Sequence, residues 1–527
     1  MGRLIVVSNR VTPPDARSEG NAGGLAVALS AALREYSGFW FGWSGETVPT
    51  FTGELNTSVV SDVSVVTLDL DEADYQEYYN GYANRTLWPL FHYRIDLTAY
   101  DRSFGEGYER VNRRFAEALA PLIEPGDVIW VHDYHLIPLG RELRRLGVSV
   151  PIGFFLHIPW PATQMLTTLP GHRQLVEAMF SYDLVGLQTT EWLWAFESYV
   201  LGEAGGSWTD DGRLNAFGRT LRAKAFPIGL DVDEFLELSR SPAADRAYDR
   251  MAAHNVFRSM IVGVERLDYS KGLEERLYGF ERFLQDNPHM AREVVYLQIA
   301  PTSREEVGAY QDLRARIDAL SGRINGAWAD MDWSPIQYVN RNHTRAELAG
   351  IYRAAKVGLV TPLRDGMNLV AKEFVAAQDP DDPGVLVLSR FAGAAQQMTN
   401  ALIVNPFSRE ELSEALKRAL SMERAERIRR WESLMDGLRR SDVKDWRDAF
   451  VADLRAAHES GGPLSEKPRR GEPLLEGDRT TLGGGSDHGG IETGDLSRQA
   501  GLQPDGRTQR RSFHPGSRPT ALRHPEA

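Results

Sequence analysis

Thr361-Pro-Leu-Arg-Asp-Gly-Met-Asn-Leu-Val-Ala-Lys-Glu373 follows directly on the apolar run Val357–Val360. The order is strand, polar glycine-bearing turn, helix start. In an open α/β sheet this order puts the turn outside the carboxyl end of a strand, where ligands bind, and turns free backbone N–H groups and a positive helix end toward an anion. Asp365 and Glu373 flank that cradle, so one carboxylate can take a sugar hydroxyl and the other a ribose. The segment reads as a nucleotide-sugar site. On these residues alone, an ordinary strand-turn-helix junction with a glycine for chain reversal is the alternative.

Working outward, similar short runs recur: Leu4–Val7, Val128–Val131, Ile152–Leu156, Leu184–Leu187, Met260–Val264, Val294–Ile299, Val385–Leu388 and Ala401–Val404. Most are almost continuously apolar, as strands buried on both faces are. Helical periodicity fills many gaps between them, at Gly24–Tyr36, Tyr108–Leu122, Glu274–Asn287, Ser303–Leu320 and Thr344–Ala354. The alternation predicts an α/β protein with two doubly wound, Rossmann-like lobes and a cleft between them, broken near Pro227-Ile-Gly-Leu-Asp231. The expected organisation is a lobe over 1–230, a second over 231–440, a terminal helix over 441–460 and a disordered tail over 461–527. That tail is rich in Gly, Pro, Arg and Ser. Trp446 and Phe450 lie four apart, on one face of the terminal helix, and that face is expected to dock on protein.

Length and composition agree with this plan. A chain of 527 residues exceeds one core, and 42% hydrophobic content with 12 Trp, 18 Tyr and 21 Phe supplies enough apolar mass for two. The net charge of −13 argues against nucleic acid or an acidic membrane as partner, while local Arg and Lys can still receive an anionic substrate. No cysteine is present, which removes disulfides, thiolate nucleophiles and thiolate-bound zinc and fits a reducing compartment. The start, Met-Gly-Arg-Leu-Ile-Val-Val-Ser-Asn-Arg, has too short an apolar run for a signal peptide, and Val6 stands where a myristoylation motif wants Ser or Thr. No window reaches the ~20 apolar residues of a spanning helix. A cytoplasmic enzyme is expected.

Cations recur at strand ends. Arg10 closes the first run, and Gly23 and Gly24 open the next helix, where a phosphate can approach the backbone. Arg266 and Lys271 sit five apart in the loop after Met260–Val264, suiting a diphosphate, and Arg304 follows the next strand. Asp133 and His157 stand at consecutive strand ends in the first half, within Trp130-Val-His-Asp-Tyr-His-Leu136 and Phe154-Phe-Leu-His-Ile-Pro-Trp160. Both can bond sugar hydroxyls, although His132, His135 and His157 taken singly read better as core or supporting histidines. Tyr79 and Trp88 could wall a sugar pocket by stacking or belong to the core. Asp69-Leu-Asp71, Asp231-Val-Asp233 and Asp330-Met-Asp332 have the carboxylate spacing of a divalent-ion site, but such triplets arise by chance among 73 acidic residues. No metal and no other cofactor is expected.

Together these segments resemble the trehalose-6-phosphate synthase family, retaining glycosyltransferases of family 20. The resemblance runs through Ser8-Asn-Arg10, Phe41-Gly-Trp-Ser-Gly-Glu46, Leu87-Trp-Pro89, the Asp133 and His157 segments, Glu265-Arg-Leu-Asp-Tyr-Ser-Lys-Gly272, Ala300–Arg304, Thr361–Glu373 and Phe391-Ala-Gly-Ala394. It covers residues 1–457. It implies the GT-B fold, with the last helix crossing back to the first lobe. It also implies transfer of glucose from a nucleotide-glucose to glucose 6-phosphate, giving α,α-trehalose 6-phosphate, the first step of trehalose biosynthesis and a stress-protection role.

The resemblance further implies an acceptor set of Arg10, Tyr79, Trp88, Asp133 and Arg304, with Arg10 and Arg304 on the phosphate. The implied donor set is Gly23, Gly24, His157, Arg266, Lys271, His343, Asp365, Leu369, Val370, Ala371, Lys372 and Glu373. Catalysis falls to Asp133, His157, Arg266, Lys271 and Asp365, and Trp88 and Ile158 select the acceptor anomer. His343 lines the base pocket, UDP-glucose is the first-choice donor, with ADP- and GDP-glucose open, and a homotetramer or dimer is implied. The family mechanism is front-face transfer, in which the leaving β-phosphate takes the proton of the incoming hydroxyl. A pseudoglycosyltransferase coupling cyclitol phosphates and a non-catalytic sugar-phosphate sensor are the alternatives. A fused phosphatase finds no room in 461–527.

Overall fold

The computed structural model describes residues 2–11, 29, 33, 38–60, 62–304 and 306–461. Gly23, Gly24, most of the helix expected at Gly24–Tyr36 and the tail beyond Gly461 lie outside them. The first sheet contains β1 (Leu4–Arg10), β2 (Phe39–Val48), β3 (Asn56–Val60), β4 (Val63–Asp71), β5 (Val128–His132), β6 (Ile152–Leu156), β7 (Leu184–Leu187), β8 (Ser207–Trp208), β9 (Leu214–Ala216) and β10 (Arg219–Ala225). Their spatial order is β3-β4-β2-β1-β5-β6-β7-β10-β9-β8, parallel from β4 to β10 with antiparallel edges. The second sheet is wholly parallel, in the order β13-β12-β11-β14-β15-β16. It comprises β11 (Ser259–Val264), β12 (Val294–Ile299), β13 (Ile336–Val339), β14 (Val357–Val360), β15 (Val385–Ser389) and β16 (Leu402–Val404). This is the expected mixed α/β, two-lobed GT-B architecture.

Period-two alternation explains the apolar runs. In β1, Ile5 and Val7 join Phe41, Phe115 and Ile129 on one face, while Leu4 and Val6 join Trp40 and Trp130 on the other. Both faces are therefore dry, and every position must be apolar. In each sheet the chain leaves one central strand, builds one side, and returns to the other. The reversals fall between β1 and β5 in the first sheet and between β11 and β14 in the second. At such a switch the loops at adjacent strand ends diverge and leave a crevice.

The helix Val443–Glu459, entered through an Asp442 capping box, returns to the first sheet. Phe450 stacks on Trp130 with ring centroids 4.7 Å apart, and Trp446 packs on Phe155 at 5.1 Å. Gly153 of β6 and Gly186 of β7 make the slot for Phe450, since a Cβ on either would lie 2.8 Å from its ring.

Three features differ from the expectations or exceed them. Tyr75–Leu87 forms a wide-turned π-helix, a form frequent at functional sites. The helix expected from Ser303 starts at Gly308 and runs on to Trp328. Strands β2 to β4, β8 to β10 and β13 had no counterpart among the apolar runs, because glycines, charges or brevity break their pattern. Among the described residues no helix is long and apolar enough to cross a membrane.

Candidate active site

The two switch points face one cavity of about 800 Å³. Arg10 reaches it from the end of β1, His157 from just beyond β6, Glu265, Arg266 and Lys271 from the loop after β11, and Asp365 from the loop after β14. His343, Leu369, Val370 and Glu373 complete the second-lobe wall. The close approach of the lobes is built in at Gly366, where a Cβ would sit 1.8 Å from the His157 carbonyl oxygen.

On that wall the Lys271 Nζ donates to Asp365 Oδ2 at 2.5 Å, with Glu265 Oε2 4.0 Å away. Burial alone pushes an ammonium down, but Asp365 and Glu265 outweigh it and hold Lys271 above its usual value. Burial likewise acts to raise Asp365, and Lys271 reverses the sign and keeps it ionised. Arg276 backs Glu265 at 3.5 Å, so the buried charges form an alternating set. Arg266 is different. Its side chain is 46% exposed and its nearest described carboxylate, Asp268, is 3.9 Å away, which leaves its guanidinium fork open to the cavity.

Asn368 caps the helix Leu369–Ala377, its Oδ1 accepting the Ala371 N–H at 3.2 Å, while its Nδ2 donates to Asp365 at 3.1 Å. It holds φ at 86°, a conformation that costs an L-residue energy, and the helix start that follows, Leu369 and Val370, lines the crevice. Glu373, one turn on from Leu369, shares its face. With burial raising it and Arg345 opposing, Glu373 titrates at about 7. Ala371 and Lys372 between them turn away from the cavity. Ala371 is buried, and the Lys372 Nζ donates to the Ile228 carbonyl at 2.6 Å and to Gln397 Oε1 at 2.7 Å. The side chains of Ala371 and Lys372, expected among donor contacts, do not line the cavity.

The expected acceptor set forms an adjoining cluster. Arg304, 8% exposed in its side chain, lies over Trp88 with its guanidinium carbon 3.9 Å from the ring centre, and donates to the Tyr310 hydroxyl at 2.6 Å and the Tyr134 hydroxyl at 3.0 Å. Arg266 approaches the same Trp88 ring at 5.5 Å. Asp133, with φ at 76°, accepts the His157 backbone N–H at 3.3 Å. Burial raises Asp133 to about 6 against the pull of Arg304 and Arg266. Asp268, between the same two arginines, stays low at about 2, their charges overriding its burial. Tyr79 stacks on Tyr75 and His135, on the π-helix side. Arg10 passes over Gly45, where any Cβ would meet its guanidinium at 2.4 Å. Ile158 is buried beside His157, and His343 Nδ1 lies 3.4 Å from Glu347. Gly23 and Gly24 fall outside the described residues.

Several residues were not singled out from the sequence. Glu265, Asp268 and Asn368 stood inside motifs already quoted, so their strand-end position was the available signal. Gln188, at the end of β7, carries the same signal. Tyr134 shares that signal, while Tyr310 and Arg345 have none, because their partners lie far away in the chain. Among the described residues no group of three or more His, Cys, Asp or Glu is placed to hold a metal ion.

Two parallel-sheet lobes, an interlobe cavity, two cations and a helix amino end on one wall define a nucleotide-sugar glycosyltransferase of the GT-B class. The chain belongs to a particular family within it: residues 2–456 match glycosyltransferase family 20, the trehalose-6-phosphate synthases. It is 48% identical over 467 residues to the trehalose-6-phosphate synthase of Sinorhizobium fredii, covering 88% of this chain and all of that one. With the Klebsiella pneumoniae enzyme of the same name it shares 48% over 470 residues, 89% of this chain and 98% of the relative. Among solved structures, a UDP-forming α,α-trehalose-phosphate synthase from Burkholderia xenovorans in complex with glucose 6-phosphate superposes with a TM-score of 0.83 at 51% identity. That match spans 86% of this chain and 100% of the other. An E. coli structure bound with UDP-2-fluoro glucose gives 0.82 at 44% identity, over 86% and 99% of the two chains.

Proposed function

We propose that the chain transfers glucose from UDP-glucose to glucose 6-phosphate with retention, releasing UDP and α,α-trehalose 6-phosphate. The carrying observation is the single cavity whose second-lobe wall presents Arg266, Lys271 and the helix end at Leu369–Val370, and whose first-lobe wall presents Arg10 and His157. The complexes of the relatives, one with glucose 6-phosphate and one with a UDP-glucose analogue, support this choice of substrates.

In this reading the diphosphate lies against Arg266, Lys271 and the helix end, which stabilise the charge that grows on the leaving oxygen. Asp365 orients Lys271 and takes a hydroxyl of the transferred glucose. Glu373 receives the ribose and His343 the base. Arg10 and Arg304 hold the acceptor phosphate, with Tyr79, Trp88 and Asp133 around its ring and Ile158 behind it. As the bond from the anomeric carbon to the β-phosphate oxygen breaks, that phosphate accepts the proton of the attacking hydroxyl on the same face. The new glycosidic bond then forms with the original configuration.

The test is to incubate purified protein with glucose 6-phosphate and UDP-, ADP- or GDP-glucose in turn, with a chelator present, and to identify the product. Trehalose phosphate should form fastest with UDP-glucose and survive chelation. No trehalose phosphate with any donor would overturn the reading.

A further inference from the structure

At the floor of the cavity a chain of hydrogen bonds runs between the lobes. Lys372 Nζ, 1% exposed, donates to the carbonyl of Ile228 in the segment linking the sheets. The N–H of the same Ile228 donates to Gln188 Oε1 at 3.0 Å. A backbone N–H can only donate, so the Gln188 amide has one orientation, and its Nε2 is the atom that meets His157 Nδ1 at 3.3 Å. His157 Nδ1 must therefore be unprotonated and its proton must be on Nε2, which donates to His132 Nδ1 at 3.0 Å. His132 in turn carries its proton on Nε2, an atom with no hydrogen-bond partner among the described residues.

We propose that Gln188 is a positioning residue, oriented by Ile228 and through it by Lys372, that locks His157 as the Nε2–H tautomer by occupying the single lone pair of its Nδ1. Resting on the glucosyl-transfer reading above, this makes the His157–Gln188 pair a recognition device for an uncharged hydroxyl of the transferred sugar. The hydroxyl accepts from the second amide hydrogen of Gln188, whose first is spent on His157 Nδ1. His157 then moves no proton during transfer.

The groups facing the ring are consistent with a ring that stays neutral. His132 lies on it from β5, Trp446 from the terminal helix has its ring centre 6.2 Å away, and the Asp133 carboxylate is engaged with the His157 backbone N–H. The Lys271–Asp365 pair, on the opposite wall, is internally balanced. Burial holds the His157 ring far below the usual imidazole range, at about 3.

The test combines nitrogen NMR of histidine-labelled protein with kinetics, the His157 signals being assigned by their loss in His157→Asn. In the wild-type protein Nδ1 of His157 should remain unprotonated from about pH 6 to about pH 8, without titrating. A protonated Nδ1, or an imidazolium in that range, overturns the proposal. In Gln188→Glu the carboxylate accepts from both Ile228 and the ring, so the proton should appear on Nδ1. The KM for nucleotide-glucose should then rise on the order of tenfold, with the KM for glucose 6-phosphate little changed. Equal loss toward both substrates, or no loss in a variant that melts like wild type, also overturns it. Failure of the wild-type protein to make trehalose phosphate would sink the functional reading, while the NMR result would still decide the tautomer.

Discussion

Lys271 and Asp365 form an ion pair of 2.5 Å that joins the loop after β11 to the loop after β14, across the switch point of the second sheet. The pair fixes to one another the two loops that form the second-lobe wall of the cavity. Replacing Lys271 by Met leaves Asp365 and Glu265 buried without it, and should destabilise the protein by about 3 kcal/mol. Asp365 sits below its ordinary value, so its share of stability is present above pH 4 and is lost as pH falls through the lowered value. Denaturant titrations of the variant should show a lower midpoint, and an unchanged one would remove the pair from the account.

Arg266 leaves its guanidinium open to the cavity. Arg266→Ala should lower kcat by roughly 10²–10³-fold, the range for losing one preorganised charge at a developing anion, with little change in melting temperature. Near-normal turnover would exclude it from the leaving-group site.

In the proposed reading Arg304 holds the acceptor phosphate through a planar fork that lies over Trp88. Arg304→Lys keeps the charge but loses the fork and the stacking, so the KM for glucose 6-phosphate should rise by roughly 10–100-fold while that for UDP-glucose stays near wild type. A similar rise for both substrates would count against the assignment.

Burial raises Glu373 to about 7, with Arg345 opposing. Because this is above its unfolded value, the stability it contributes is complete below about pH 4.5 and disappears as pH rises through 7. Glu373→Gln should therefore flatten the fall in melting temperature between pH 5 and pH 8. A ribose hydroxyl donating to the carboxylate favours the ionised form, so UDP binding near pH 6.5 should release protons. Calorimetry in buffers of different ionisation enthalpy measures this, and equal heats would contradict the ribose contact.

Much of this could be read from the chain. Val294–Ile299 and Val357–Val360 match the observed β12 and β14 residue for residue, because strands dry on both faces leave unbroken apolar runs with polar ends. Strand ends also located Arg10, Asp133, Arg266 and Asp365. What escaped was set by partners distant in sequence. The β2 segment reads poorly since Gly42, Ser44, Gly45 and Glu46 interrupt it, yet Gly45 is required by Arg10 passing over it. Lys372 stood in the most informative motif, and only helix phase, not composition, turns it from the donor toward Ile228. Gln188 gains its meaning from a backbone N–H forty residues further on.

The return of Val443–Glu459 to the first sheet makes the second lobe an insertion within the first. During synthesis, β6 and β7 are made long before Phe450, and their glycine slot stays open until the whole second lobe has been translated. The first lobe therefore completes last, although it is made first. Phe450→Ala, which should cost about 3–5 kcal/mol, strikes this closing step, so its burden should be heavier on the yield of newly made protein than on molecules already folded. The two crossings also touch: a Cβ on Gly229 would lie 2.2 Å from the Asp442 backbone. The two segments that join the lobes therefore run side by side.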